Sequence, residues 1–304
     1  MINKNPFPDS SEKQYLRRHH LTDLAKLKMQ LGDDLAYFGL PSAEMLDVKI
    51  WKTTLRRITA VERDNYVAEA MYGTAWQLGL GERTVIIESD IVEALRLLSL
   101  QDDGSLGHLP PVEQKKYRDT RHVFHSVFNI DMYGGFFYPK ITQTSENMKL
   151  FQSLIQWQSR HKKPFILILT FNLRDQGSIN KTYEKYIKDT LREVANFKID
   201  TSEVQSYYLA QNIRNQPRNL RRLRFCIPTY LQHVALDSFQ VINLGSWYYK
   251  TFYHAKFLFE PRLEKSALGL TWPPLDEFKE LLKAPMKKIH PDLRLVDLPA
   301  PYLS

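Results

Sequence analysis

Apolar residues recur at spacings of three and four over residues 16–32, where Leu21, Leu24, Leu27 and Leu31 form one stripe; the spacing predicts a helix. The residues before it, 1–15, are polar with two prolines and predict a loose arm. The pattern then shortens. Leu35-Ala36-Tyr37-Phe38-Gly39-Leu40 is an apolar run closed by Pro41-Ser42, which predicts a buried strand and a turn, with Ser42 as N-cap of a helix over residues 43–57. Ile58 to Glu62 predicts a second strand, and residues 66–80 a helix closed by Gly79 and Gly81. Thr84 to Ile87 predicts a third strand, ending at Glu88-Ser89-Asp90, before a helix from Ile91 to Leu100.

Residues 101–118 are rich in Gly, Pro and charge and predict a loop. His122 to Ile130 predicts a fourth strand ending at Asp131, and a helix over 146–160 leads to a fifth strand, Phe165 to Thr170. Residues 180–196 and 204–238 predict further helices. Phe239–Tyr249 and Tyr253–Glu260 are two strand-like runs separated by three residues, which predicts an antiparallel hairpin. The alternation of strands and helices, with strands apolar nearly throughout, predicts an α/β fold: a doubly wound, mostly parallel sheet covered by helices on both faces. Three regions follow: an arm and helix over 1–34, the α/β domain over 35–262, and a Pro-rich tail over 263–304 with a helix at DEFKELLK.

Composition changes this picture little. Hydrophobic residues make up 43% and charged residues 25% of the 304, enough for an ordinary core. The single cysteine, Cys226, excludes a disulfide framework or a cysteine-built zinc site and reads as a small core residue. No apolar run reaches membrane-spanning length, and the first residues have no leader-like apolar segment, so a cytoplasmic location is expected. His122 and His125, three apart on the expected strand, point to opposite faces, and no metal is expected. The net charge of +8 suits a polyanionic partner such as nucleic acid, and on composition alone it suits a basic protein that binds none equally well.

In an open α/β sheet, ligands bind outside the carboxyl ends of the strands, where the strand order reverses. After the first strand, Gly39, Leu40 and Ser42 let the backbone pass close to a ligand, although on its own FGLPS reads as an ordinary strand–turn–helix connection. The absence of GxGxxG argues against a dinucleotide. After the second strand, Glu62 could accept from both hydroxyls of a ribose, with Arg63 beside it. After the third, Asp90 could accept from an adenine amino group with Ile91 against the ring, or cap the next helix. After the fourth comes Asp131-Met132-Tyr133-Gly134.

With acids at three successive strand ends and the hairpin at 239–260, residues 35–260 resemble the class I S-adenosylmethionine (SAM) methyltransferases. The resemblance implies a seven-stranded sheet whose last two strands form the antiparallel hairpin. It also implies SAM as cofactor, held by Gly39, Leu40, Ser42, Glu62, Arg63, Asp90, Ile91 and Asp131. The strand-four tetrad is similar to the motif of amino-group methyltransferases of nucleic acids. That similarity implies Asp131 as acceptor for the protons of the target amine and Tyr133 as the ring that stacks the base.

Arg214, Arg218, Arg221, Arg222 and Arg224 fall within thirteen residues and could contact RNA or DNA phosphates, and Arg17-Arg18-His19-His20 forms a second basic cluster. Tyr207, Tyr208, Trp247, Tyr248 and Tyr249 read as core rather than stacking platforms. Two functions are then open. One is a SAM-dependent methyltransferase acting on an amino group of a nucleic acid. The other, suggested by FGLPS in place of a glycine-rich motif and by the missing proline, is a catalytically degenerate methyltransferase-like subunit that binds nucleic acid, a protein partner or a second copy of itself.

Overall fold

The computed structural model describes residues 9–132, 146–172, 227–228, 230–250, 252–262, 286–289 and 295–297. In chain order the elements are α1 (Ser11–Leu31), β1 (Leu35–Gly39), α2 (Leu46–Trp51), β2 (Leu55–Glu62), α3 (Asn65–Gln77), β3 (Thr84–Glu88), α4 (Ile91–Ser99), α5 (Pro111–Arg121), β4 (Val127–Met132), α6 (Glu146–Gln158) and β5 (Phe165–Asn172). The hairpin β6 (Phe239–Tyr249) and β7 (Phe252–Pro261) follows, then β8 (Met286–Ile289) and β9 (Leu295–Asp297). The helices expected over 180–196 and at DEFKELLK, Cys226, and most of 204–238 lie outside the described residues; 230–235 are helical.

The strands form one sheet in the order β3-β2-β1-β4-β5-β7-β6-β8-β9. β1 to β5 run parallel to one another, and β7 runs antiparallel to both β5 and β6. The expected doubly wound sheet of seven strands, closed by an antiparallel hairpin, is therefore present. It is extended by two short strands from the tail, β8 parallel to β6 and β9 antiparallel to β8, which sequence patterning did not suggest. The strand order reverses between β1 and β4, which marks the switch point.

Residue alternation assigns the two faces. On β5, Phe165, Leu167, Leu169 and Phe171 join a core shared with α4, α5 and α6, while Ile166 and Ile168 join a second core with Leu24 and Leu27 of α1, Val48 and Trp51 of α2 and Met71 of α3. On β4, Phe128, Ile130 and Met132 face the first core and Val127 the second. Asn129 and Asp131 share Val127's parity, so they stand on the α1 face at the carboxyl end of the strand.

Four local expectations are corrected. α1 begins at Ser11, with Ser10 as N-cap accepting from Lys13 N at 3.3 Å, so residues 11–15 are helix rather than arm. The helix expected over 43–57 is only α2, six residues long; Ser42 has φ 60° and caps nothing, and Leu55 already belongs to β2. The expected loop at 101–118 contains α5, whose first residue is Pro111, a position where the missing N–H costs nothing. β4 starts at Val127, so His122 and His125 precede the strand and the strand-parity argument about them does not apply; His125 instead bonds Thr59 Oγ1 at 2.9 Å. Among the described residues no cluster suited to a metal ion occurs, and no helix is long and apolar enough to cross a membrane.

Candidate active site

Register across the sheet creates one polar row. Asp131 on β4 is paired with Thr170 on β5, Thr170 with His254 on β7, and His254 with Trp247 on β6. Adjacent strands lie about 4.8 Å apart, so Asp131 and His254 stand about 10 Å apart on the same face. α1 crosses this row. Its Lys13 and His20 are seven residues apart, a rise of about 10 Å along a helix. The two spacings match: Lys13 meets Asp131, and His20 meets His254.

The contacts are specific. Lys13 Nζ donates to Asp131 Oδ2 at 3.0 Å. Arg17, one turn on, donates from Nε to Asp47 of α2 and from a guanidinium nitrogen to Asp9. The second oxygen of Asp47 accepts from Asn129 Nδ2 at 2.6 Å, and Trp51 Nε1 donates to the Arg17 carbonyl at 2.8 Å. The Nε2 atoms of His20 and His254 are 2.8 Å apart, so one donates to the other, and His254 Nδ1 lies 2.7 Å from Thr170 Oγ1. Lys256 of β7 pairs with Asp23 of α1. A small cavity opens among these groups, lined by Lys13, Arg17, His20, Asp47, Asp131 and His254. Two buried polar atoms on its walls, Asp131 Oδ1 and His20 Nδ1, have no hydrogen-bond partner among the described residues.

Electrostatics follow burial. Loss of solvent raises the Asp131 carboxyl above its ordinary range, against the pull of Lys13. Burial opposes the charge of Arg17, but Asp47 and Asp9 more than offset it and raise its pKa. Burial, reinforced by Lys256, lowers His254 to about 3, and burial with the neighbouring His254 lowers His20 well below 6.5. Both imidazoles are neutral at physiological pH.

The strand-end residues expected to hold a cofactor lie on the same carboxyl edge, in three different states. Gly39 presses on β4: a Cβ there would lie 2.2 Å from the Asn129 carbonyl oxygen, and Leu40 N donates to that same oxygen at 3.2 Å. Glu62 ends β2, and its Oε1 accepts from Asp64 N at 2.9 Å, while Arg63 is exposed. Asp90 is exposed and caps α4, accepting from Val92 N at 2.8 Å, with Ile91 half-buried against the core. Capping takes one oxygen of Asp90, so its cap role and a ligand role are compatible. α2, which follows the turn after β1, is six residues long and has Met45 at its N-cap with no side-chain cap bond.

Asp131 thus stands at the switch point, on the strand that Gly39 presses against. Tyr133 and the arginines Arg214, Arg218, Arg221, Arg222 and Arg224 lie outside the described residues, as do Tyr207 and Tyr208. Trp247 and Tyr249 are buried, in keeping with a core role. Arg17, read in the second basic cluster, is paired with Asp47 and Asp9. Sequence reasoning missed Lys13, Asp47, Asn129, Thr170 and His254. A signal was present in part, since Lys13, Arg17, His20, Leu24 and Leu27 continue one helical stripe whose first half is polar.

The donor set fits SAM in kind: carboxylates at the ends of β2 and β3 for ribose and adenine, and at the end of β4 a buried carboxylate oxygen that has no hydrogen-bond partner among the described residues. No family model matches the chain, and no curated protein sequence matches it. Among solved structures, it is similar to an O-methyltransferase from Bacillus cereus in complex with SAH, at 9% identity over 84% of each chain with a TM-score of 0.41. It is also similar to the N-methyltransferase NodS from Bradyrhizobium japonicum, again with SAH, at 8% identity over 86% of this chain and 94% of that one, with a TM-score of 0.38. The fold assignment rests on the strand order and directions in this chain.

Proposed function

We propose that this protein is a SAM-dependent methyltransferase that acts on an amino group of a nucleic acid. The observation that carries this reading is Asp131: a carboxylate at the switch-point end of β4 with one oxygen already holding an amine and the other buried without a partner among the described residues. An exocyclic amine has a delocalised lone pair, and a carboxylate that accepts its N–H draws electron density back to nitrogen and fixes its direction. Asp131 supplies that acceptor. Glu62 and Asp90 accept from the ribose and the adenine amine. SAM, when bound, supplies the electrophilic methyl group. α1 forms a wall that limits the access of water to the carboxylate. The cluster Arg214–Arg224 supports a phosphate-bearing acceptor, and Tyr133, next after Met132, is the ring assigned to stack its base.

The test is calorimetric titration with SAM of wild type, Glu62→Ala and Asp90→Ala, followed by transfer of labelled methyl to bulk RNA and DNA by wild type and Asp131→Ala. Binding lost in the first two variants, with binding kept but transfer lost in the third, supports the reading. Full transfer by Asp131→Ala rejects the assigned role.

A second reading, a degenerate subunit that binds nucleic acid or a protein partner, is favoured by one observation: α1 fills the acceptor position with its own Lys13. Failure of well-folded wild type to bind SAM, together with salt-dependent nucleic-acid binding, would select it.

A further inference from the structure

We propose that Lys13 is itself a methyl acceptor, so that the protein methylates its own α1 helix. This inference rests on the SAM-dependent reading and names a substrate for the same site. Nothing about Lys13 in the sequence, one basic residue in a polar arm, suggests the assignment; three structural observations do. Its amine is held at 3.0 Å by Oδ2 of Asp131, the carboxylate assigned above to orient an amino group. Its side chain is 11% exposed, against 41% for Lys28 and 74% for Lys26 of the same helix, so it is committed to the site rather than to solvent. And it is held on a rigid support: α1 is pinned by Arg17 to Asp47, by the Trp51 bond to the Arg17 carbonyl and by the His20–His254 pair. A nucleophile positioned on a packed helix needs little further ordering to react.

The chemistry balances. Lys13 passes one proton from its ammonium to Asp131, which leaves the nitrogen lone pair free. That lone pair forms the N–C bond to the methyl of SAM, and the S–C bond breaks with its electrons left on sulfur. The products are a neutral thioether, a methylammonium on Lys13 and protonated Asp131, which then returns its proton to solvent. The net change is transfer of one methyl and release of one proton. Methylation keeps the positive charge, so the pair with Asp131 survives the reaction.

The experiment has two arms. In the first, the purified full-length chain is titrated with SAM by calorimetry, then incubated with saturating SAM, and every lysine-bearing peptide is weighed by mass spectrometry over time. A methyl group appearing on the Lys13 peptide, not on those of Lys26, Lys28 or Lys116, and absent in Asp131→Asn and in Glu62→Ala, is the expected result. SAM binding with an unmodified Lys13 overturns this proposal while leaving the functional reading standing; absence of SAM binding overturns both. The second arm needs no turnover. In wild type, Lys13 should react with an amine-acylating reagent at least about tenfold more slowly than Lys26, and Asp131→Asn should narrow the gap. Equal rates for Lys13 and Lys26 in wild type would show that Asp131 does not hold the amine, and would sink the proposal.

Discussion

His20 Nε2 lies 2.8 Å from His254 Nε2, the rings stack with centroids 5.0 Å apart, and the contact joins residues 234 positions apart in the chain. The bond needs an unprotonated nitrogen on one of the two rings, and burial of both disfavours charge on either. Lys256 of β7 and Lys13, Arg17 and His19 of α1 act on the pair, and each disfavours further positive charge there. The pair therefore clasps α1 to the sheet at physiological pH and is strained by acid.

The pH consequence has a definite sign. His254 and His125 are each lowered to about 3, mainly by burial, and the unfolded chain takes up these protons near 6.5. Between those values the unfolded state binds protons that the folded state does not. Stability is therefore present in full above pH 6.5 and is lost as pH falls toward 3. Each histidine contributes a loss of about 1.4 kcal/mol per pH unit in that window, or about 2 kcal/mol by pH 5. Urea unfolding at pH 7.5 and 5 should show the drop, and His254→Asn should remove its own share, about 2 kcal/mol, leaving those of His125 and His20. An unchanged midpoint across this range would refute the neutral clasp.

Gly39 packs where no side chain fits. A Cβ would meet the Asn129 carbonyl at 2.2 Å and Tyr37 Oη at 2.7 Å, and the first is backbone of the central strand. Gly39→Ala should therefore force β1 and β4 apart at the switch point and cost about 2–3 kcal/mol, at the upper end for overpacking a core. Loss of less than about 0.5 kcal/mol in denaturant unfolding would mean that the strands yield freely there.

Asp90 offers a way to separate a cap from a ligand. Its carboxylate accepts from Val92 N at 2.8 Å, and Asp90→Ala should remove about 1 kcal/mol of stability as any lost N-cap does. Asp90→Ser keeps a capping oxygen and should restore that stability, but it has no carboxylate for an adenine amine. Weakened SAM affinity in Asp90→Ser at wild-type melting temperature assigns the ligand role; unchanged affinity leaves Asp90 as a cap alone.

The sheet was readable from the chain because β5, FILILTFN, is covered on both faces, so its apolar run is unbroken, and because the strand ends carry their acids in the sequence itself. α5 was hidden for the opposite reason: only Tyr117, Thr120 and Arg121 are buried, so its pattern is polar, and Pro111 reads as a breaker although it sits in the first turn. The wall of the site was not readable at all. Lys13 and Asp131 are 118 positions apart and become neighbours only through the match between the rise of α1 and the strand spacing. The first half of α1 looks like a solvated arm because its inner face is polar, and it is polar because it covers polar strand ends rather than core.

The Lys13–Asp131 pair makes a last, energetic prediction. Asp131 is 24% exposed at its side chain, with Oδ1 buried, and Lys13 is its cation. Lys13→Met leaves that carboxylate without its counter-charge, and the charge cannot be fully rehydrated while α1 stays packed. A fully buried pair would lose about 3–5 kcal/mol on such a change. Partial exposure screens this one, and a loss of about 1–2 kcal/mol is expected. Adding Asp131→Asn in the same chain removes the unpaired charge and should recover most of that loss, because a neutral amide tolerates the site without a cation. A double-mutant cycle by urea unfolding measures the coupling directly. Coupling near zero would show that Asp131 is already solvated as it stands, and the wall built by α1 would then not exclude water from the carboxylate.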